Sequence, residues 1–148
     1  METEKYNISR FIQAQDTNGC YETALAELRN GKKRTHWIWY IMPQLRGLGH
    51  SYNSRYYGIS CLDEARAYLS NPILNERLHE TIRAFLSCAD KDLTPRKVLG
   101  AIDAAKVRSC CTLFDLISPN DVFAQCLDTF YEGERDENTL KRIENAKF

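Results

Sequence analysis

A chain of 148 residues with 43% hydrophobic and 11% aromatic residues has enough apolar side chains to build a packed core, which excludes a disordered chain. Its 20 basic and 20 acidic residues cancel to a formal net charge of zero, so nucleic acid is not an expected partner. No run of about 18 apolar residues is present and the first residues are polar and acidic, so neither a membrane span nor a secretory signal is expected. We expect a single domain over residues 1–148, located in the cytoplasm.

The first part of the chain predicts two helices. Ser9 can cap a short helix over 10–15, and the apolar spacing over 20–30 predicts a second helix that Gly31 ends. Residues 36–42 form a short apolar run closed by proline, whose periodicity does not distinguish helix from strand. An ordered loop over 44–53 and a short helix or extended segment over 54–60 are expected to follow.

Capping residues mark the helix starts in the second half of the chain. A Ser, Thr, Asp or Asn before an apolar-periodic segment accepts hydrogen bonds from free backbone N–H groups, and proline suits the first helical position. Six helices are predicted here, five of them with a named cap. Their ranges are 63–69 with the cap Asp63, 71 to about 89 with Asn71, 94 to about 100 with Thr94, 103 to about 117 with Asp103, 118 to about 133 with Ser118, and 137–147. No hairpin and no alternation of strands and helices is found. The predicted fold class is all-α, a compact single-domain helical bundle of about seven to nine helices, several of them short.

Six cysteines are spread along the chain without a metal-binding pattern. No Cys-x-x-Cys pair occurs, and no histidine lies at the spacing typical of zinc ligands. Buried, reduced thiols are favoured over a disulfide framework, and no metal and no cofactor are predicted. The cysteines are Cys20, Cys61, Cys88, Cys110, Cys111 and Cys126.

The stretch 32–60 is the predicted functional site because it mixes aromatic rings with polar side chains and glycines. Rings can stack on a planar ligand, amides and imidazoles can hydrogen-bond it, and guanidinium groups can hold an anionic part. Backbone N–H groups of a glycine-rich loop can surround a phosphate. The predicted stacking residues are Trp37, Trp39 and Tyr56 or Tyr57, the hydrogen-bonding residues Gln44 and His50, the anion-holding residues Arg46 or Arg55, and the loop residues Gly47, Gly49 and Ser51.

A structural interpretation of the same stretch stays open. Trp37 and Trp39 can be core anchors and the loop a rigid connector, since nearby side chains seldom all face one pocket. The Gly-Leu-Gly of the loop is not a dinucleotide fingerprint, because the third glycine of that motif is replaced by Tyr52. The pattern of a P-loop is absent as well.

Asp103 and Lys106 share one face of a predicted helix. Asp103 can serve there as a general base that activates water, and Lys106 can hold a phosphate. The simpler interpretation is a capping aspartate that forms an exposed ion pair with the lysine. His50 is the candidate second acid or base, although a lone histidine is more often only a satisfied polar residue.

Three segments stand out as family-like: HWIWYIMPQLRGLG at 36–49, SRYYGIS at 54–60 and VLGAIDAAKVRSCCTLF at 98–114. In these segments the chain resembles the bacterial domain-of-unknown-function family 1810, with mild departures at Met42 and at Cys110 and Cys111. This resemblance implies a small, mostly helical bacterial protein without an established activity. The label "calpastatin" that is often attached to the family does not fit, because such an inhibitor acts through disordered segments and this composition is that of a packed domain.

A second, remote similarity is to the NADAR family, whose members act on ADP-ribose-linked or riboflavin-pathway N-glycosides. It is carried by Gln13 or Gln15, by the helix start at 71–74 and by the turn at 100–103. This similarity implies a nucleotide-like or ADP-ribose-like ligand at the level of fold analogy.

Three functions follow from these observations. The first is an N-glycoside or nucleotide hydrolase that uses Asp103, the second a module that binds the same small molecule without chemistry, and the third a protein-docking surface built from exposed tryptophans. A cavity that joins Asp103 to Trp37 or Gln44 would favour the first, and a pocket without a carboxylate the second. The oligomeric state is left open.

Overall fold

The computed structural model describes residues 5–146, and helices build the fold in that range. They are α1 (Ser9–Asp16), α2 (Cys20–Arg29), α3 (Ile38–Ile41), α4 (Tyr52–Tyr56), α5 (Leu62–Ser70), α6 (Pro72–Ser87), α7 (Pro95–Leu99), α8 (Ala101–Ile117), α9 (Val122–Phe130) and α10 (Glu137–Ala146), with 3₁₀ turns at Thr17–Gly19 and Cys88–Lys91. Within the described residues the extended pairing is an isolated bridge between Leu45 and Ile59. The predicted all-α class is therefore confirmed.

Helices α6 and α8 carry the core. Helix α6 packs against α2, α5 and α9, while α8 packs against α5, α7, α9 and α10. Apolar spacing assigns five residues to the inner face of α6, and four of them are buried in the structure: Leu74, Leu78, Ile82 and Phe85. The fifth, Leu86, is half-buried against the core. Val107, Cys111 and Phe114, the predicted inner face of α8, are buried too. Apolar spacing thus identified the two central helices and the sides on which they pack.

Two of the predicted helix starts have the expected capping geometry. The Asn71 side chain accepts hydrogen bonds from the backbone N–H groups of Ile73 at 3.0 Å and Leu74 at 3.1 Å. Thr94 accepts a hydrogen bond from the N–H of Lys97 at 3.2 Å. A proline follows each cap at the first helical position, where its missing N–H is not needed.

Four predicted caps are wrong. The Ser9 hydroxyl donates to Asn7 Oδ1 at 3.1 Å instead of capping α1, and Asp63 lies inside the first turn of α5. Asp103 likewise lies inside the first turn of α8, which begins at Ala101 after a glycine. Helix α9 is capped by Asp121, whose carboxylate also accepts the hydroxyl of Ser118. Aspartate suits the first turn of a helix as well as the cap, since a negative charge is favourable at both positions.

The predicted helix over 137–147 is observed as α10, and Lys147 lies outside the described residues. All six cysteines are free thiols; Cys88, Cys110, Cys111 and Cys126 are buried, as expected for reduced cysteines in a core. Burial raises the pKa of the Cys110 thiol well above its ordinary value. Among residues 5–146, none of the helices combines the length and apolar character that crossing a membrane requires.

The loop between α3 and α5 is fixed at both ends. Its first residues pair with its last, since Arg46 N–H donates to Ile59 O at 2.8 Å and Ile59 N–H donates to Gln44 O at 2.9 Å. Gly58 makes this approach possible, because a Cβ there would lie 2.7 Å from Cα of Arg46. The ordered loop predicted from the sequence is therefore confirmed.

A buried ion pair fastens the far side of that loop. The Arg10 guanidinium contacts Glu64 Oε2 at 2.7 Å and donates to the carbonyls of Tyr56 at 2.8 Å and Gly58 at 3.2 Å. Both charged side chains are almost fully buried, at 5% and 2% exposure. Burial of a charged pair is tolerated only when its remaining hydrogen-bonding groups find partners, and here backbone carbonyls supply them.

Candidate functional site

Trp37 is a core residue. Its side chain is fully buried, and its indole Nε1–H donates to Glu27 Oε1 at 2.9 Å. Trp37 precedes the short helix α3, and Trp39 lies inside it. Two residues correspond to about 200° around a helix, so the two rings point in opposite directions. The expectation that Trp37 helps to wall a ligand pocket is corrected by this placement.

Glu27 is the acceptor that allows Trp37 to be buried. Besides the indole, its carboxylate accepts the N–H groups of Arg34 at 2.7 Å and Thr35 at 3.1 Å and the Thr35 hydroxyl at 2.8 Å. Burial by itself would raise the pKa of Glu27, but these hydrogen bonds outweigh it and the pKa lies below its ordinary value. We call Glu27, Arg34, Thr35 and Trp37 the Glu27 cluster.

Trp39 lies on a cavity of about 380 Å³ between the loop after α3, the first turns of α8 and the start of α10. This volume lies within the range typical of small-molecule sites. The cavity is lined by Trp39, Gln44, Leu48, Gly49, His50, Ser51, Ala105, Lys106, Ser109, Asp136 and Asn138. We call it the Trp39 cavity. It joins three segments that are far apart in sequence.

Lys106 covers one face of the Trp39 ring. Its ammonium lies 3.7 Å from the ring centroid, within the range of a cation–π interaction. Asp103 Oδ1 lies 3.4 Å from Nζ of Lys106, and Asp103 Oδ2 lies 2.9 Å from Nζ of Lys33. Two lysines thus share one aspartate, which leaves the group with a net positive charge. The predicted ion pair between Asp103 and Lys106 is present, but at 17% and 20% exposure it is not the exposed pair that was predicted.

Asp103 itself does not line the Trp39 cavity. It borders a separate surface hollow together with Lys33, His36, Gly100 and Ile102. Its carboxylate is engaged by the two lysines, of which Lys106 lines the Trp39 cavity. Neither Trp37 nor Gln44 borders the hollow beside Asp103, so the cavity that would favour a hydrolase built on Asp103 is not found there.

Asp136 is the carboxylate that lines the Trp39 cavity. Its Oδ2 accepts the N–H of Thr139 at 3.0 Å and the Thr139 hydroxyl at 2.6 Å, which makes it the N-cap of α10. Its Oδ1 lies 3.8 Å from an Arg108 guanidinium nitrogen. These contacts hold the carboxylate in one orientation at the cavity wall. The sequence signal for this cap is an aspartate directly before the predicted helix start at 137.

A narrow recess adjoins the Trp39 cavity. The two share Trp39, Gln44 and Lys106, and the recess is also lined by Ile38, Met42, Asn53, Ser54, Tyr57 and Gly58. Its free space of about 10 Å³ is the volume that one water-sized group requires. Burial, followed by the neighbouring Tyr56, raises the pKa of the Tyr57 hydroxyl, so this ring presents a neutral hydroxyl near the recess.

One buried polar group of the recess has no partner in the described part of the protein. The Ser54 hydroxyl is buried and meets no hydrogen-bonding group among residues 5–146. Gln44 is 9% exposed; its backbone carbonyl is paired with Ile59, and its side chain lines the recess beside Ser54. Buried polar groups are normally paired, and the other unpaired buried side-chain atom in the same range, Nε of Arg108, lies outside the recess.

The structure brings together part of the predicted site. The predicted residues that line the cavity or the recess are Trp39, Gln44, Gly49, His50, Ser51, Tyr57 and Lys106. Arg46 is exposed and lies outside both hollows; its carbonyl accepts a hydrogen bond from Arg142 at 3.1 Å, and Gly47 makes room for the same guanidinium. The lining residues that the sequence did not single out are Ile38, Met42, Leu48, Asn53, Ser54, Gly58, Ala105, Ser109, Asp136 and Asn138. The last four come from α8 and the start of α10, which the aromatic stretch does not include.

Comparisons with known proteins place the chain in a family. It is similar to the conserved hypothetical protein Rv1873 from Mycobacterium tuberculosis, whose crystal structure matches it with a TM-score of 0.89 and 36% sequence identity over 95% of this chain and 98% of that one. A comparison with curated proteins finds no match. The family described as "Protein of unknown function (DUF1810)" matches residues 5–143. The remote similarity to the NADAR family is not among these matches and stays a prediction. The resemblance to family 1810 is confirmed, and the chain belongs to this family.

Proposed function

We propose that the Trp39 cavity binds a small nucleotide-like molecule. The observation that carries this proposal is the wall formed by Trp39, Lys106 and Gln44, which unites an aromatic face, a positive charge and a side-chain amide. A nucleotide offers a planar base, an anionic phosphate and polar base edges, and each matches one of these groups.

The charge around Lys106 supports an anionic ligand. Lys33 and Lys106 share Asp103, so the ammonium of Lys106 is only partly neutralised by its ion pair. At 20% exposure this side chain is also less screened by solvent than a surface lysine. Gly49 and Ser51 also line the cavity, and backbone N–H groups of such a loop suit a phosphate.

Isothermal titration with AMP, ADP and ADP-ribose tests the proposal. Wild type is expected to bind at least one of them, and Trp39→Ala is expected to weaken that binding by about tenfold or more, since stacking on an aromatic ring contributes on the order of 1–3 kcal/mol. Tyr52→Ala is the matched control, because Tyr52 is an exposed ring outside the cavity. Absence of binding for all three compounds would contradict the proposal, as would equal weakening by both variants.

A second function, hydrolysis of an N-glycosidic bond, is favoured by one observation. Asp136 lines the cavity opposite the helix face that carries Lys106 and Ser109, so a fixed carboxylate is available to the ligand. In such a reaction a water oxygen bonds to the anomeric carbon while the carbon–nitrogen bond breaks. The water proton passes to Asp136, and the departing base keeps the electron pair and takes up a proton. Asp136 thus takes the role that the sequence suggested for Asp103, and His50 at the cavity mouth is the candidate proton donor to the departing base.

Matched aspartate variants separate this hydrolase from a module that only binds. Asp136→Asn keeps the capping geometry, since asparagine is an equally good N-cap, but removes the carboxylate. If the protein releases a free base or nicotinamide from NAD or ADP-ribose compounds, this variant is expected to lower the rate at least a hundredfold while it still binds. Asp103→Asn is the control and is expected to keep most of the rate. Binding without any base release in wild type would leave the non-catalytic module.

A docking surface made of both tryptophans is not proposed. Trp37 is fully buried, and Trp39 is half-buried under Lys106. Neither ring therefore forms part of the large exposed apolar patch that such a surface requires.

A further inference from the structure

The recess beside the Trp39 cavity combines two features that seldom occur together. It is small enough for a single non-hydrogen atom and its attached protons, at about 10 Å³ of free space. It is also lined by the hydroxyl of Ser54, which is buried without a partner in the described residues, and by the side chain of Gln44.

Glycines form part of the surroundings of the Ser54 hydroxyl. A Cβ at Gly49 would lie 2.6 Å from Ser54 Oγ, and one at Gly58 would lie 2.6 Å from the Ser54 carbonyl. A larger residue at either position would displace Ser54 or fill the space beside it. The hydroxyl lies on the recess together with Gln44, Tyr57 and Gly58, next to the wall that Trp39 and Lys106 share with the main cavity.

An unpaired buried hydroxyl or amide destabilises a folded protein by about 1–3 kcal/mol, since it has lost its hydrogen bonds to water. The Glu27 cluster lies in the same part of the chain, and there every buried donor meets the carboxylate. The contrast indicates that the recess is shaped for a polar group that comes from outside the chain.

We propose that the recess is a specificity subsite, which takes one exocyclic amino or carbonyl group of the planar ligand bound in the Trp39 cavity. This inference rests on the proposed function and adds to it the feature by which the ligand is selected. The Gln44 amide and the Ser54 hydroxyl can each donate and accept, so they suit either group. A ring with only hydrogen at that position would leave both of them unpaired, and its binding would be weaker.

Three nucleotides that differ at one position test the subsite. AMP carries an amino group at position 6 of the purine, IMP carries a carbonyl there, and purine riboside monophosphate carries hydrogen. We expect AMP and IMP to bind about tenfold more tightly than purine riboside monophosphate in calorimetric titrations, since one well-made hydrogen bond contributes about 1 kcal/mol or slightly more. In Ser54→Ala and Gln44→Met the three dissociation constants are expected to approach one another.

Ser109→Ala is the matched control for Ser54→Ala. Ser109 also lines the main cavity, but its hydroxyl already donates to the Ala105 carbonyl at 3.2 Å, so its removal should leave the discrimination unchanged. Urea unfolding gives a second measurement, because removal of a hydroxyl that stabilises the fold would lower the free energy of unfolding. Loss of an unpaired hydroxyl should leave Ser54→Ala at least as stable as wild type.

The outcomes separate the two proposals. If all three nucleotides bind wild type with equal affinity, the subsite is wrong and the nucleotide site remains. If none of them binds, the proposed function fails and the subsite falls with it. A Ser54→Ala protein that is clearly less stable than wild type would also overturn the subsite, because its hydroxyl would then have a partner within the protein.

Discussion

The two tryptophans of this protein, only two positions apart, lie in regions of opposite character. Trp37 belongs to the Glu27 cluster, where a carboxylate accepts four hydrogen bonds and its donors are satisfied. Trp39 borders a cavity whose adjoining recess contains the Ser54 hydroxyl, which has no partner among the described residues. Each region contains one of the two tryptophans, and what differs is whether the buried polar groups beside it are paired.

The pairing of buried polar groups distinguishes residues that stabilise the fold from residues that are candidates for ligand binding. A core position stabilises the fold when its polar groups are paired, because burial without partners is destabilising. A position whose polar groups stay unpaired lowers stability and is retained more readily if a ligand completes it. Substitutions in the Glu27 cluster are therefore expected to lower stability, and substitutions at the Trp39 cavity are expected to weaken ligand binding.

The largest expected effect is that of Trp37→Ala on stability. Removal of a fully buried tryptophan should lower the free energy of unfolding by about 3–5 kcal/mol in urea titrations. Trp39→Ala is the matched variant. Since Trp39 is half-buried, its substitution should lower the free energy of unfolding by less than half as much, while ligand binding weakens by about tenfold or more. Equal destabilisation by the two variants would abolish the distinction between a structural and a functional tryptophan.

The next largest effect is on how the free energy of unfolding declines at acidic pH. The folded pKa of Glu27 lies below its ordinary value of 4.5, so the carboxylate contributes stability that is complete above that value and is lost as the pH falls through the lowered pKa. Glu27→Gln should lower the free energy of unfolding at pH 7 by about 2 kcal/mol and make its decline between about pH 5 and pH 3 shallower.

Urea unfolding at several pH values measures the acid effect. Glu76→Gln is the control, since Glu76 is an exposed carboxylate of α6 and its removal should leave the curve unchanged. A Glu27→Gln protein with the same acid sensitivity as wild type would show that the hydrogen bonds of the cluster do not depend on the charge.

A smaller effect is expected at Lys106. Lys106→Met should weaken the binding of AMP by about tenfold and reduce its dependence on salt, because the ammonium is the positive charge of the cavity wall. Stability should change by less than about 0.5 kcal/mol, since Asp103 keeps its closer partner Lys33. Lys97→Met, an exposed lysine of α7, serves as the control. A large loss of stability without a change in AMP binding would show that Lys106 stabilises the fold and does not bind the ligand.

Much of the fold was predictable because its signals are local. Apolar periodicity located α6 and α8, and a capping residue followed by proline located two helix starts, at Asn71 and Thr94. Caps that rested on an aspartate or serine alone were wrong at Asp63 and Asp103, because an acidic residue is equally suited to the first helical turn. A residue preference shared by the cap and the first helical turn does not determine at which of these neighbouring positions the residue lies.

The candidate site was predictable in place but not in composition. The stretch 32–60 supplied Trp39, Gln44 and the loop, whereas Asp136 comes from the other end of the chain, where no sequence signal links it to them. The assignment of Trp37 failed for a different reason. Which side of α3 faces the core depends on where so short a helix begins, and packing against α1 and α6 decides that.

The smallest expected effect compares two helix starts. Asn71→Ala should lower the free energy of unfolding by about 1 kcal/mol, because two backbone N–H groups of α6 lose their acceptor. Asp63→Ala should change it by less than about 0.5 kcal/mol, since the carboxylate is 71% exposed and contacts only Arg66 among the described side chains. Both are side-chain acceptors near the start of a helix, so urea unfolding of the two variants isolates the effect of pairing with backbone donors. Equal losses would contradict the stabilising role of pairing with backbone donors at Asn71, and the acceptor role assigned to Glu27 would then need the same test.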